Sequence, residues 1–167
     1  MKRILISIMT ICLCTTVLNA CFLSTSQSKS NVESPITELE SVEEINSKTG
    51  FEMPLFPDPY QQEAWSVIDN TIAQMEYAYN GAQITFRMAE GKDDISGIYG
   101  IEEYETTTLN GITAQTEMYN DIHVAWFPHE PYTYSLTATD MNGTDFIALL
   151  TTVTGLIASP PEPSEGE

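Results

Sequence analysis

Ala73-Gln74-Met75-Glu76-Tyr77-Ala78-Tyr79-Asn80-Gly81-Ala82-Gln83-Ile84-Thr85-Phe86-Arg87-Met88 is the stretch whose reading decides the fold. Ala73, Met75, Tyr77 and Tyr79 recur every second residue, the period of a strand with one buried face. Asn80-Gly81 then interrupts the pattern. Asn-Gly is a strong hairpin signal because the tightest β-turns need positive φ at their central residues. Ala82, Ile84, Phe86 and Met88 resume the alternation. A two-residue turn sets Tyr79 opposite Ala82, Tyr77 opposite Ile84 and Met75 opposite Phe86, so the two apolar faces coincide. A slip of one residue would move one whole set to the solvent side.

Downstream, Gly91 to Gly100 reads as a polar connector carrying Asp93, Asp94 and Ser96. Tyr104–Leu109 and Ile112–Tyr119 flank a second Asn-Gly pair, and Thr106-Thr107-Thr108 favours strand. Asn120-Asp121 marks a turn, Ile122–Phe127 the next strand, and Pro128-His129-Glu130-Pro131 a further turn. Tyr132, Tyr134, Leu136 and Ala138 alternate in the strand after it. These signals predict an antiparallel meander of about six strands. A helix follows: Asn142 caps it, Asp145 suits its first turn, Phe146, Leu149, Leu150 and Val153 form one apolar stripe, and Gly155 can end it. Upstream, Ser41 and Glu44 make a capping box and Gly50 can close a short helix. Pro54, Pro57 and Pro59 break regular structure beyond it. The predicted fold class is α+β: a sheet packed by a C-terminal and a short N-terminal helix, spanning residues 41–156.

Two-residue turns carried through the later strands put Ala114, Thr116 and Met118 on one face with His123, Ala125, Phe127, Tyr134 and Leu136. Ile122, Val124 and Trp126 fall on the other. That second face is apolar for a solvated one. Either the N-terminal segment covers it, or Ile122, Val124 and Trp126 line a groove for an apolar ligand. Covered packing comes first, because buried aromatics are usually core.

The ends of the chain differ from this body. Met1-Lys2-Arg3 is a short basic segment, and Ile4–Val17 is an uncharged, mostly apolar run. The run suits a signal peptide and falls short of the roughly 20 residues that a spanning helix needs. Leu18-Asn19-Ala20-Cys21 follows. It resembles the lipobox of bacterial lipoproteins, with an aliphatic residue, a tolerant position, a small residue and a cysteine. The resemblance implies diacylglyceryl transfer to the Cys21 thiol and cleavage between Ala20 and Cys21. Two acyl chains are what stable anchoring takes. The expected organisation is signal peptide 1–20, tether 21–40, the α+β body, and an acidic Pro-rich tail 157–167.

The remaining cysteines, Cys12 and Cys14, lie within the leader, so a chain cut before Cys21 has no second thiol for a disulfide. The net charge is −18, from 6 basic and 24 acidic residues. Lys2 and Arg3 leave with the leader, which brings the mature chain to −20. Such a surface repels nucleic-acid phosphates and anionic headgroups. The sole expected membrane contact is the covalent lipid, with a protein or small molecule of unknown identity as partner.

Candidate chemistry is sparse. His123 falls on the core face and His129 in a turn, six residues apart, without the tight convergence that a metal site wants. Asp140-Met141-Asn142-Gly143-Thr144-Asp145 lacks the alternating oxygens and terminal Glu of a calcium loop, and capping explains it better. Asp93, Asp94, Glu102, Glu103 and Glu105 read as a solvated acidic edge. There is no nucleophile elbow, Walker or dinucleotide signature. No catalytic residue, metal or cofactor is predicted.

Thr49-Gly50-Phe51-Glu52-Met53-Pro54, Asp94-Ile95-Ser96-Gly97-Ile98-Tyr99, His123-Val124-Ala125-Trp126-Phe127 and Tyr132-Thr133-Tyr134-Ser135-Leu136 occur in an order with a known likeness. It resembles an uncharacterised domain of lipoproteins and membrane-anchored regulators in Gram-positive Firmicutes, over about residues 41–154. More distantly, the body is similar to lipoprotein-carrier-like curved sheets that hold an apolar ligand. The resemblance implies an extracytoplasmic, non-enzymatic binding or interaction module, or a carrier or sensor of an apolar ligand between sheet and helix. An extracellular enzyme is the third reading. In cells fed a fatty-acid analogue, wild-type chain should be labelled and Cys21→Ala should not. Equal labelling of both would sink the lipobox reading.

Overall fold

The computed structural model describes residues 35–159. The leader, Ala20 and Cys21, most of the expected tether and nearly all of the tail lie outside the described residues. The chain divides into two compact units, Met1–Glu33 and Ser34–Glu167, and the described residues belong to the second. No described helix is long and apolar enough to cross a membrane.

Eight antiparallel strands form one sheet: β1 (Ile36–Leu39), β2 (Gln61–Ile68), β3 (Ile72–Tyr79), β4 (Ala82–Glu90), β5 (Glu105–Leu109), β6 (Ile112–Tyr119), β7 (Ile122–His129) and β8 (Tyr132–Thr139). Helix α1 (Val42–Thr49) joins β1 to β2, and α2 (Gly143–Ala158) closes the body. The architecture is α+β, but the sheet has eight strands, not about six. The two additional strands, β1 and β2, lie upstream of the decisive hairpin. β1 falls within the stretch read as tether, and three of its four residues are exposed. β2 carries a register shift between Gln62 and Ala64 that breaks its alternation.

The sheet is also not a single meander. The strand order is β1-β2-β3-β4-β8-β7-β6-β5. The connector from residue 91 to 104 leaves β4 and reaches the far edge, and the chain then returns strand by strand until β8 pairs with β4. Within each hairpin the predicted registers hold. Tyr79 faces Ala82 and Met75 faces Phe86, Met118 faces His123, and Phe127 faces Tyr134. The β7–β8 turn is shorter than predicted: strand pairing runs out to His129↔Tyr132, leaving Glu130-Pro131 as the turn.

These registers contain a structural repeat that side-chain identity hides. Ile72 pairs with Ala89, and Ile122, fifty positions on, pairs with Thr139, fifty on from Ala89. Phe86 and Leu136, also fifty apart, face each other across the β4–β8 seam. A half-turn about that pair carries the β3–β4 hairpin onto β7–β8.

The core lies on one face. Met75, Tyr77, Ile84, Phe86, Phe127 and Leu136 are buried beneath the helices and the segment from 50 to 60. In α1 the Ser41 side chain accepts from Glu44 N–H, and Gly50 ends the helix at φ 77. In α2 Asn142 accepts from Asp145 N–H, and Phe146, Leu149, Leu150 and Val153 point to the sheet. Gly155 does not end α2. The helix runs to Ala158, burying Ile157, and Gly155 lies beside the Asn110 amide. Asn110 Nδ2 donates to Thr151 O (2.8 Å) and Thr154 Oγ1 (3.0 Å), docking the β5–β6 turn on the helix.

Phe86 sits at the seam with no exposed surface. Phe86→Ala should cost about 3–5 kcal/mol in urea denaturation, the usual range for emptying a buried aromatic site. Exposed Thr113→Ala should change little.

Candidate functional site

The second sheet face is partly covered by the connector that joins β4 to β5. Its central row runs Gln115, Trp126, Ser135, Arg87, Gln74 and Ser66 across six strands. The 91–104 connector lies over this row. Arg87 Nε donates to Gln74 Oε1 at 2.7 Å, and Arg87 Nη1 donates to the Ile95 and Ser96 carbonyls at 3.0 and 2.6 Å. Burial in turn lowers the Arg87 pKa from its ordinary value. Thr133 Oγ1 donates to Asp93 O at 2.9 Å. Asp94 accepts from Ser96 N–H and from the Tyr104 hydroxyl, whose pKa rises through burial first and this partner second. Gly97, at φ 74, fits against Arg87, since a Cβ there would stand 2.6 Å from Nη1.

The residues expected to line a groove lie on this face. Val124 is fully buried and Ile122 and Trp126 are half-buried. Tyr104 packs edge-on to Trp126 at 6.4 Å, while Trp126 Nε1 is buried without a hydrogen-bond partner. Part of this face is packed by the connector. The physical reason is the crossing connection, which has to traverse the sheet and buries whatever it crosses.

His123 is a core residue, 8% exposed. Its Nε2 donates to the Met141 carbonyl at 3.0 Å, and its ring stacks on Phe146 at 4.9 Å. Asp145 and Asn142 form the α2 cap. Among the described residues, no three His, Cys, Asp or Glu side chains converge to hold a metal.

An opening lies instead on the core face, at the end of α2. There the segment after Gly50, the β7–β8 turn and the last turn of α2 enclose a cleft of about 790 Å³. The segment alternates: Phe51, Met53 and Phe56 are buried, while Glu52 and Leu55 are exposed. Aromatic contacts pin it to the sheet. Phe51 meets Tyr132 edge-on at 5.4 Å, and Phe56 stacks on Tyr77 at 4.3 Å. The Tyr77 hydroxyl accepts from Phe56 N–H at 3.4 Å. Pinning the inward residues turns Leu55, 52% exposed, toward the opening. Met88 and Tyr134 form the floor, and Leu156 and Ile157 form the helical wall. At the mouth stand Glu52, His129 and Glu130, and Glu130 is paired with Lys92 at 2.5 Å. That pair lowers the Glu130 pKa and raises that of Lys92.

An apolar cavity with a few polar groups at its rim is the usual form of a small-molecule site. It lies between sheet and helix, but on the face opposite Ile122, Val124 and Trp126. Of the histidines singled out in the sequence, only His129 borders it. The signal that could have pointed to it is the proline-broken segment 50–60 between α1 and β2. Comparison with protein-family models, curated proteins and solved structures finds no match.

Burial pushes the Tyr77 and Tyr134 hydroxyls up to about 12 from the ordinary 10.0. The fold thus favours their neutral forms. Their contribution to stability is fully present below pH 10 and lost as pH rises through about 12. Chemical denaturation between pH 9 and about 12 should show this loss, and Tyr77→Phe/Tyr134→Phe should flatten it.

Proposed function

We propose that the protein is a lipid-anchored, extracytoplasmic, non-enzymatic binding module that holds an apolar ligand in the cleft at the end of α2. The cleft carries this reading. Its lining includes Met88, Tyr134, Leu55, Leu156 and Ile157, with Glu52, His129 and Glu130 beside them. A half-exposed Leu55 held outward by buried neighbours on both sides is apolar surface kept available at a fixed place. Burying it against a ligand is favourable at about 25 cal/mol per Å².

Support for the address comes from Leu18-Asn19-Ala20-Cys21 and the apolar run before it, and for the role from the likeness to carrier-type curved sheets. A covalent lipid on Cys21 would hold the acidic body near a membrane that its charge repels. Apolar molecules partition into that membrane, so an anchored body with an apolar cleft is suited to sample them.

The chain from Cys21 to Glu167, produced without leader or lipid, should bind the neutral dye Nile red. Leu55→Asp should weaken that binding by about tenfold or more, because it sets a charge on the apolar wall. Tyr99→Asp, at an 88% exposed site on the connector, should leave it unchanged. Identical binding by all three proteins would place the dye elsewhere and remove the cleft from consideration.

A further inference from the structure

We infer that the ligand of this cleft is an amphiphile with a cationic or neutral head, and that the site rejects anionic ones such as fatty acids. The inference rests on the cleft reading above and adds the sign of the charge that it accepts.

Residues 35–159 contain three cationic side chains, Lys48, Arg87 and Lys92. Arg87 lies on the opposite sheet face, its guanidinium held by Gln74 and two connector carbonyls. Lys92 is paired with Glu130. Lys48 is in the last turn of α1, where the carbonyl ends of that helix attract it. None of the three lines the cleft. An anionic head at the mouth would therefore meet Glu52 and Glu130, with the His129 imidazole beside them and, among the described residues, no lining lysine or arginine to pair with it.

A cationic head meets the reverse. Glu52 is exposed at the mouth, and Glu130 adds a second carboxylate that Lys92 partly satisfies. The whole body reinforces this, since a strongly acidic surface raises the local concentration of cations and lowers that of anions. An apolar tail seated against Leu55, Met88 and Leu156 would leave the head beside Glu52. The same charge argues against two other occupants. The chain's own end, Pro160–Glu167, carries Glu162, Glu165 and Glu167, and a second copy brings another acidic rim.

Three probes of one chain length separate the possibilities: dodecyltrimethylammonium, dodecanol and dodecyl sulfate, each below its micelle concentration. Binding to the chain from Cys21 to Glu167 is measured by displacement of Nile red, with native mass spectrometry of each complex. The expected order is cation, then alcohol, then sulfate. Glu52→Gln should reduce the advantage of cation over alcohol by about fivefold, the upper range for an exposed ion pair, and leave alcohol binding unchanged. Added salt should narrow the same gap. Sulfate binding as tight as the cation overturns the charge assignment while leaving the apolar cleft standing. A cation advantage unchanged by Glu52→Gln overturns it too. If no probe displaces the dye, the cleft reading fails with it. A dimer mass, or a gain in affinity on removing residues 160–167, assigns the cleft to a second copy or to the tail and overturns the proposal.

Discussion

The pairing of β4 with β8 is the constraint on which the rest depends. Each strand ends a run of antiparallel hairpins, and their contact from Gln83↔Thr139 to Glu90↔Tyr132 joins the runs into one sheet. Separated, each run would present a long central strand as a bare edge, with its backbone groups unpaired and Phe86 or Leu136 in water. The contact is long-range in sequence, so it bears the entropy of closing a loop of about fifty residues before any contact repays it. The half-turn relation about Phe86 and Leu136 follows from this pairing, because two hairpins of equal strand length meet through equivalent strands.

The seam imposes the connector, and the connector determines what the second face is. A chain that leaves β4 and must start again at the far edge has to cross the sheet. The face it crosses is accordingly polar along its central row, with Ser135, Arg87, Gln74 and Ser66 in line. Arg87 is half-buried, and carbonyl oxygens of the connector satisfy it in place of a carboxylate. A buried cation is tolerated where its donors are met. That interaction ties the crossing segment to the sheet centre.

The proposed site lies on the core face, where two helices and a proline-broken segment share the cover of an eight-stranded sheet. Among the described residues, they leave a cleft beside the last turn of α2. Leu156 and Ile157 exist as a wall because the helix continues past Gly155, and Gly155 itself lies beside the Asn110 amide. The proposed cleft is a consequence of cover running out, lined by side chains that would otherwise belong to the core.

Much of this architecture was legible in the residues. Period-two alternation with Asn-Gly turns located the β3–β4 and β5–β6 hairpins and their registers, because a two-residue turn leaves no freedom in pairing. Caps at Ser41 and Asn142 located both helix starts, since side-chain oxygens there meet otherwise unpaired N–H groups. What the tertiary structure alone decided was β1, β2, the strand order and the cleft. β1 is a mostly exposed edge that little apolar pattern marks, and the bulge in β2 breaks the alternation that would mark it. Strand order depends on contacts between segments far apart in the chain, which local periodicity does not encode. For that reason Ile122, Val124 and Trp126 read alike as groove or packing in the sequence. The cleft, likewise, is the space between three segments, and no one of them carries its shape.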